Sequence, residues 1–196
     1  MKIKNIIGEG IVTLSILFTT IACSDIINYE YSDYHCNLSI DNSVHLDATL
    51  ASSMNALSPG VFTTIKPLYR DGVYYFHFRN NQGLESKKQF NAIDERLQSY
   101  LRVGMSNGLI VGFGNLDTPA HFYAYDLQCP NCFDIGALPQ RNYELTVTGT
   151  GIATCKTCHR SYNLNTGGNI VSGDRGKTMT RYRASTTGPN GVLHVY

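Results

Sequence analysis

The chain has no tryptophan, few charged residues and no apolar run long enough to cross a bilayer. Charged residues make up 16% of its 196 residues, and the formal net charge is +1. This balance gives no indication of a nucleic-acid partner or of a polybasic membrane contact. The longest mainly apolar stretch is residues 11–22, whereas a membrane-spanning helix needs about 20 apolar residues.

Motifs for catalysis are also missing. We find no Ser-His-Asp pattern, no phosphate-binding glycine loop and no paired acids in a convincing context. Asp94 and Glu95 are interpreted as a solvated pair on a helix face. Five histidines share no spacing and are each interpreted as structural: His35, His45, His77, His121 and His194. His159, next to Cys158, is interpreted as a neighbour of a ligand or an exposed residue rather than as a ligand. The sequence therefore favours a non-enzymatic protein.

The N-terminus resembles an export signal that ends at a lipidation site. Lys2 and Lys4 precede residues 11–22, which have the length of a signal h-region. Residues 20–23 (Thr-Ile-Ala-Cys) resemble a bacterial lipobox, which predicts that residues 1–22 are removed and that Cys23 is lipidated. The alternative is a secreted protein that is cut nearby, with an incidental Cys23.

The predicted mature chain is a lipid-anchored envelope protein. Removal of residues 1–22 leaves 14 basic and 14 acidic residues, so attachment would come from the acyl chains rather than from charge. We expect a tether over residues 23–35 and one β domain over residues 36–196. The expected location is the periplasmic or surface face of a Gram-negative-type bacterial membrane.

Two Cys-x-x-Cys pairs are the strongest chemical signal in the sequence. Cys129 and Cys132 form the first pair, and Cys155 and Cys158 form the second. Two such turns brought together by a hairpin supply four thiolates at the corners of a tetrahedron. If Cys23 is acylated, an odd number of cysteines remains, so four metal ligands and a leftover Cys36 are the simplest division. Two structural disulfides stay open as the alternative.

Glycine, tyrosine and threonine are abundant and favour strands and turns over helices. We predict an all-β fold, with strands at residues 36–40, 61–68, 73–78, 109–113, 121–127, 143–148, 152–154, 162–165, 178–184 and 192–196. Residues 86–101 carry apolar side chains at roughly helical spacing and predict one short amphipathic helix. A small metal-knuckle subdomain is expected over about residues 127–168.

The segment that follows Cys155 resembles the second half of a Rieske iron–sulfur domain. That family has Cys-x-x-His-Gly, then an aromatic residue and a closing Thr-Gly turn. Here Cys155 falls on the family's cysteine ligand, Cys158 on its histidine ligand and His159 on the glycine. Tyr162 matches the aromatic residue, and residues 166–167 match the turn.

The resemblance covers about residues 108–196 and implies a Rieske-like β-sandwich with a [2Fe–2S] cluster. Residues 180–184 and 190–195 are similar to the family's closing strands. The first knuckle differs, because Asn131 stands where the family has its histidine ligand, followed by Cys132. Residues 173–176 occupy the region of the family's shielding proline loop. Four thiolates in place of two histidines would lower a cluster's reduction potential.

Three metal centres fit four cysteines. Zinc fits them tetrahedrally and can be captured outside the cell, a single iron fits the same geometry, and a [2Fe–2S] cluster is what the resemblance implies. The leader has no twin arginine, so export as an unfolded chain is expected, and a cluster made beforehand would be lost. Chemistry thus favours a structural zinc or simple metal site. The alternative is an iron or [2Fe–2S] site in an electron-transfer protein. The sequence does not identify a partner protein.

Overall fold

The structure is a computed structural model that describes residues 30–196. The predicted leader, Cys23 and most of the tether lie outside the described residues. Within 30–196 the chain is mostly β-sheet with a few short helices, which confirms the predicted all-β fold with a cysteine knuckle.

Thirteen strands form within the described residues. In chain order they are β1 Leu38–Asp41, β2 Phe62–Arg70, β3 Val73–Asn80, β4 Glu85–Gln89, β5 Leu109–Phe113, β6 Phe122–Asp126, β7 Thr146–Val147, β8 Ile152–Thr154, β9 Ser161–Asn163, β10 Asn169–Ser172, β11 Arg181–Tyr182, β12 Ala184–Thr186 and β13 Val192–Val195. The helices are α1 Asn42–His45, α2 Ala48–Ser53 and α3 Ala92–Leu97, with 3₁₀ turns at Gln98–Tyr100 and Leu164–Thr166.

The strands form three antiparallel sheets. A six-stranded sheet has the order β11-β6-β5-β2-β3-β4, and a three-stranded sheet has the order β1-β13-β12. The third sheet, β10-β9-β8-β7, has four strands and contains the second cysteine pair in the loop between β8 and β9. We call this third sheet the knuckle sheet.

The two faces of the six-stranded sheet belong to two different hydrophobic cores. On one face Phe76, Phe78 and Val111 pack with the three-stranded sheet and with α2. On the other face Ile110 and Tyr125 pack with the knuckle sheet in a second core. Strand alternation explains this division, because neighbouring residues such as Ile110 and Val111 point to opposite faces. The metal-ligand candidates belong to the second core.

The end of the predicted tether lies against the β domain. The backbone N–H of Ser32 donates to the carbonyl of Arg181 at 2.8 Å. The Tyr31 ring stacks under the guanidinium groups of Arg181 and Arg183, at 5.2 and 4.8 Å from the ring centre. These contacts fix where the chain enters the domain.

The predicted helix over residues 86–101 is wrong in its first part. β4 occupies Glu85–Gln89 and pairs with β3, and α3 begins only at Ala92, after the N-cap residue Asn91. Asn91 and Asp94 form a capping box, which fixes the helix start. Asp94 is therefore buried, and the expected solvated pair is wrong for Asp94.

Candidate metal centre

The first cysteine pair follows directly after β6. The carbonyl of Cys129 accepts hydrogen bonds from the N–H of Cys132 at 3.2 Å and of Phe133 at 2.9 Å. These bonds close a tight turn that places both thiols on the same side of the loop. The N–H of Cys129 donates to the carbonyl of Tyr143 at 2.9 Å, which ties the turn to the chain that leads into the knuckle sheet.

The second cysteine pair connects β8 to β9 with the same kind of turn. The N–H of His159 donates to the carbonyl of Cys155 at 3.0 Å, as Phe133 does to Cys129 in the first turn. The N–H of Cys155 donates to the carbonyl of Arg160, also at 3.0 Å. Because β8 and β9 are an antiparallel pair, the turn is held at the end of a hairpin.

The four sulfur atoms converge on one point. Every pair lies within 4.8 Å, which confirms the predicted meeting of the two cysteine pairs. The short distances run between the turns: Cys129 Sγ is 3.6 Å from Cys158 Sγ, and Cys132 Sγ is 3.8 Å from Cys155 Sγ. All four are free thiols.

These separations fit one tetrahedral ion. Zinc–sulfur bonds of about 2.3 Å at tetrahedral angles place the sulfurs about 3.8 Å apart. Four thiolates around one centre also match the donor set of structural zinc sites. The cluster is therefore compatible with a metal-binding site formed by Cys129, Cys132, Cys155 and Cys158.

The four thiols differ in exposure. Cys129 and Cys155 are 0% and 1% exposed, in the second core, whereas Cys132 and Cys158 are half-buried. A cleft of about 790 Å³ runs beside the first turn and is lined by both of its cysteines. One edge of the cluster thus lies close to solvent.

Hydrogen bonds and burial act in opposite directions on the thiols. Burial raises the pKa of Cys129, partly offset by hydrogen bonds from Tyr162 and from the backbone of Asn131. Burial also opposes ionisation of Cys158, but hydrogen bonds from the backbone and side chain of Arg160 and from the Cys132 and Cys129 thiols together outweigh it and lower that pKa to about 6. Burial also raises the pKa of Cys132, so a bound cation would be needed to hold Cys129 and Cys132 as thiolates and would release their protons.

Two residues next to the sulfurs were not identified as functional from the sequence. The side-chain amide of Asn131 donates to the Tyr162 hydroxyl at 2.9 Å and to the carbonyl of Lys177 at 2.7 Å. The Tyr162 hydroxyl, which lies 3.4 Å from Cys129 Sγ, is then free to donate to that sulfur. Asn131 therefore orients a neighbour of the cluster.

Residues 173–176 cover the two turns. A Cβ at Gly176 would lie 2.3 Å from Asn131 Oδ1, and one at Gly173 would lie 3.1 Å from the Arg160 backbone. The Arg160 side chain donates to the carbonyls of Asp174 and Arg175 at 3.0 and 3.2 Å. The glycines allow this loop to approach both turns closely.

Replacement of Tyr162 by phenylalanine tests the hydrogen bond to the cluster. The variant keeps the buried ring but removes the hydroxyl that faces Cys129 Sγ. We expect metal affinity to fall by about tenfold, because groups that orient metal ligands contribute on that scale. Competition with a chromophoric chelator measures the change, and an affinity equal to wild type would contradict the contact.

Replacement of His159 by glycine is expected to stabilise the second turn. His159 has a φ of 58°, a left-handed conformation that glycine adopts at no steric cost. Its side chain is exposed and lies outside the sulfur cluster. We expect the free energy of unfolding to rise by about 0.5–1 kcal/mol in denaturant titrations, with unchanged metal content. Loss of metal in this variant would instead make His159 a ligand.

The remaining cysteine and two histidines have structural partners. Cys36 is 4% exposed, and its thiol donates to the carbonyl of Arg102 at 3.1 Å. His45 pairs with buried Asp94 at 2.9 Å, and His77 pairs with Glu85 at 2.7 Å. These contacts agree with the structural roles expected for all three. Cys23 lies outside the described residues.

Comparison with protein-family models, with curated proteins and with solved structures finds no match to the chain. Among the helices of residues 30–196, none has the length and apolar character to span a bilayer.

Proposed function

We propose that the chain is a non-enzymatic, lipid-anchored envelope protein with a Rieske-like domain in which four cysteines hold one structural zinc ion. The observation that carries this proposal is the mutual distance of at most 4.8 Å among the four sulfurs. A [2Fe–2S] cluster divides its four thiolates between two irons, so sulfurs on different irons stand further apart than those around one ion. The compact sulfur set supports a single ion.

The location of the site supports a structural role for the ion. Cys129 and Cys155 belong to the core that joins the knuckle sheet to the six-stranded sheet. The knuckle sheet has only short strands of two to four residues, which bury little apolar surface by themselves. The ion would join the loop after β6 to the β8–β9 hairpin and thereby fix the knuckle sheet on the larger sheet.

Three features support the Rieske-like assignment of this half of the chain. The second cysteine pair lies at the end of an antiparallel hairpin, Tyr162 contacts Cys129 Sγ, and residues 173–176 cover both turns in the region of the family's proline loop. The lipid anchor and the envelope location rest on the leader and on the lipobox-like residues before Cys23.

Electron transfer is the second candidate function. The observation that favours it is the half-burial of Cys132 and Cys158, which places one edge of the centre near the surface and beside a wide cleft. A single iron in the same tetrahedral site would then exchange electrons with a docked partner.

Elemental analysis and an absorption spectrum of the purified full-length protein separate these functions. Structural zinc predicts one zinc per chain and a colourless protein. Visible thiolate-to-iron bands with one or two irons per chain would overturn the zinc assignment in favour of an electron carrier. Absence of metal, with at most one free thiol in the mature chain, would overturn both in favour of two disulfides.

The lipid anchor has its own test. The Cys23→Ala variant removes the only acylation site that we propose, so the protein should move from the membrane to the soluble fraction. Fractionation followed by immunoblotting measures this change, with Cys36→Ala as the matched control. Retention of the Cys23 variant in the membrane, to the same extent as the control, would contradict the anchor.

A further inference from the structure

One half of the six-stranded sheet presents a basic face that the knuckle sheet leaves open. In the register of β2, β3 and β4, Lys66 lies opposite His77, and His77 lies opposite Lys87. Arg79 lies two residues after His77 and therefore points to the same side of the sheet. We call Lys66, His77, Arg79 and Lys87 the basic face. Glu85 lies opposite Arg79 on the same side of the sheet and pairs with His77 at 2.7 Å.

Three residues of the basic face, Lys66, His77 and Arg79, line a recess of about 430 Å³. Thr64, Lys66 and Arg79 line it from the six-stranded sheet. Thr146 and Lys156 line it from the side of the knuckle sheet. The recess thus lies where the two sheets meet, and Lys156 is one of the two residues between Cys155 and Cys158.

Positive charge in this recess exceeds negative charge. Among residues 30–196, Glu144 is the only acidic residue that lines it, and its carboxylate is bound to Lys66 Nζ at 2.6 Å. Arg79 and Lys156 form no ion pair within residues 30–196. The predicted mature chain has as many acids as bases, so this excess is a local feature.

We propose that the recess binds a small anion that carries a phosphate monoester or diphosphate group. The planar guanidinium of Arg79 matches two phosphate oxygens at once, and the ammonium of Lys156 provides a second charge from the opposite wall. Thr146 supplies a hydroxyl donor from the same wall as Lys156, whereas the Thr64 hydroxyl already donates to the carbonyl of Arg79 at 3.0 Å. The proposal does not depend on which metal the cysteines hold.

Calorimetric titration of the full-length protein with pyrophosphate at low ionic strength tests the site. We expect saturable binding of one pyrophosphate per chain. The variants Arg79→Gln and Lys156→Gln should each weaken it by about tenfold, since each removes a charge-assisted hydrogen-bonding group. Both side chains are exposed, so folding should be unaffected, and metal content and melting temperature of each variant check this.

Arg70→Gln is the matched control, because Arg70 is exposed at the far end of β2 and does not line the recess. Its pyrophosphate affinity should equal that of wild type. Absence of saturable binding, or equal weakening by Arg70→Gln, would overturn the proposal.

Vesicles with phosphatidic acid, compared with phosphatidylcholine alone, identify the source of the phosphate. Binding to phosphatidic acid that depends on Arg79 supports the site with a lipid headgroup as its ligand, and pyrophosphate binding alone supports it with a soluble one.

Discussion

Replacement of Cys155 by serine is expected to abolish metal binding and to destabilise the domain by at least about 4 kcal/mol. Binding of an ion to the folded state alone contributes about 4 kcal/mol when its free concentration is a thousand times the dissociation constant. Structural zinc sites bind the ion tightly enough for its free concentration to exceed a thousand times the dissociation constant, so about 4 kcal/mol is a lower bound. Cys155 is 1% exposed, so the serine hydroxyl would also be buried among three thiols. Denaturant unfolding in zinc-containing buffer measures the loss.

Cys36→Ser is the matched control for this experiment. It makes the same chemical change at a buried cysteine outside the cluster, and a serine hydroxyl can still donate to the carbonyl of Arg102. We expect this variant to keep its metal and most of its stability. If Cys155→Ser unfolds at the same denaturant concentration as Cys36→Ser, the ion does not stabilise the fold.

Replacement of Asp126 by alanine is expected to lower the free energy of unfolding by about 3–6 kcal/mol. Asp126 is 1% exposed and ends β6, three residues before Cys129. One carboxylate oxygen accepts from the N–H of Met105 and the Tyr182 hydroxyl, and the other accepts from the N–H of Gln128, each at 2.7 Å. The variant leaves these three donors without their partner, at about 1–2 kcal/mol each.

Tyr182→Phe separates this network from a general effect of cavity formation. It removes one of the three bonds to Asp126 and leaves the two backbone donors satisfied. We expect a loss of about 1 kcal/mol in the same unfolding measurement. A loss as large as that of Asp126→Ala would show that the carboxylate does not organise the backbone around it.

Asp126 also gives a direction for the dependence of stability on pH. Burial raises the pKa of this carboxyl, although hydrogen bonds from Met105, Gln128 and Tyr182 oppose the shift. The folded protein therefore holds the Asp126 proton more tightly than the unfolded chain does. The protonated carboxyl thus adds to the free energy of unfolding at low pH, and this contribution is lost as the pH rises through the folded-state pKa. Relative to Asp126→Asn, which cannot titrate, wild type should lose stability as the pH rises through that range.

The sequence predicted those parts of the fold that depend on local patterns. The continuous apolar run of residues 109–113 and the short segment 152–154 are strands with those bounds. The meeting of the cysteine pairs was predictable because the spacing of a knuckle fixes the direction of its sulfurs. The strand expected over residues 61–68 continues to Arg70, because β2 pairs with β3 as far as Arg70. Its pairing with β5 covers only Phe62 to Ile65. Pro67 therefore needs no N–H on that side.

Other elements depend on side-chain contacts that a linear pattern does not reveal. The short helices α1 and α2 begin at the N-cap residues Asp41 and Asp47, whose carboxylates accept backbone N–H groups. In the region expected to be helical, Phe90 packs against Phe76 of β3 at 4.2 Å between ring centres, whereas Ile93 is half exposed. The spacing indicated a helix that exists as α3 at Ala92–Leu97, but not its start, because pairing with β3 makes residues 85–89 a strand.

The surroundings of the cysteines were the least predictable part of the site. Asn131 and Tyr162 meet only because the first turn and β9 come together in the folded chain. The same is true of the loop at residues 173–176, whose glycines approach Asn131 and Arg160. The spacing of Tyr162 from Cys158 marked Tyr162 as a residue near the second cysteine pair. Its contact with Cys129 of the first pair could not be identified without the fold.

X-ray absorption at the metal edge of the purified full-length protein tests the single-ion site most directly. Our account predicts four sulfur neighbours at about 2.3 Å around zinc and no second metal nearby. A metal neighbour beside the absorbing atom, or nitrogen and oxygen ligands in place of any of the four sulfurs, would contradict it.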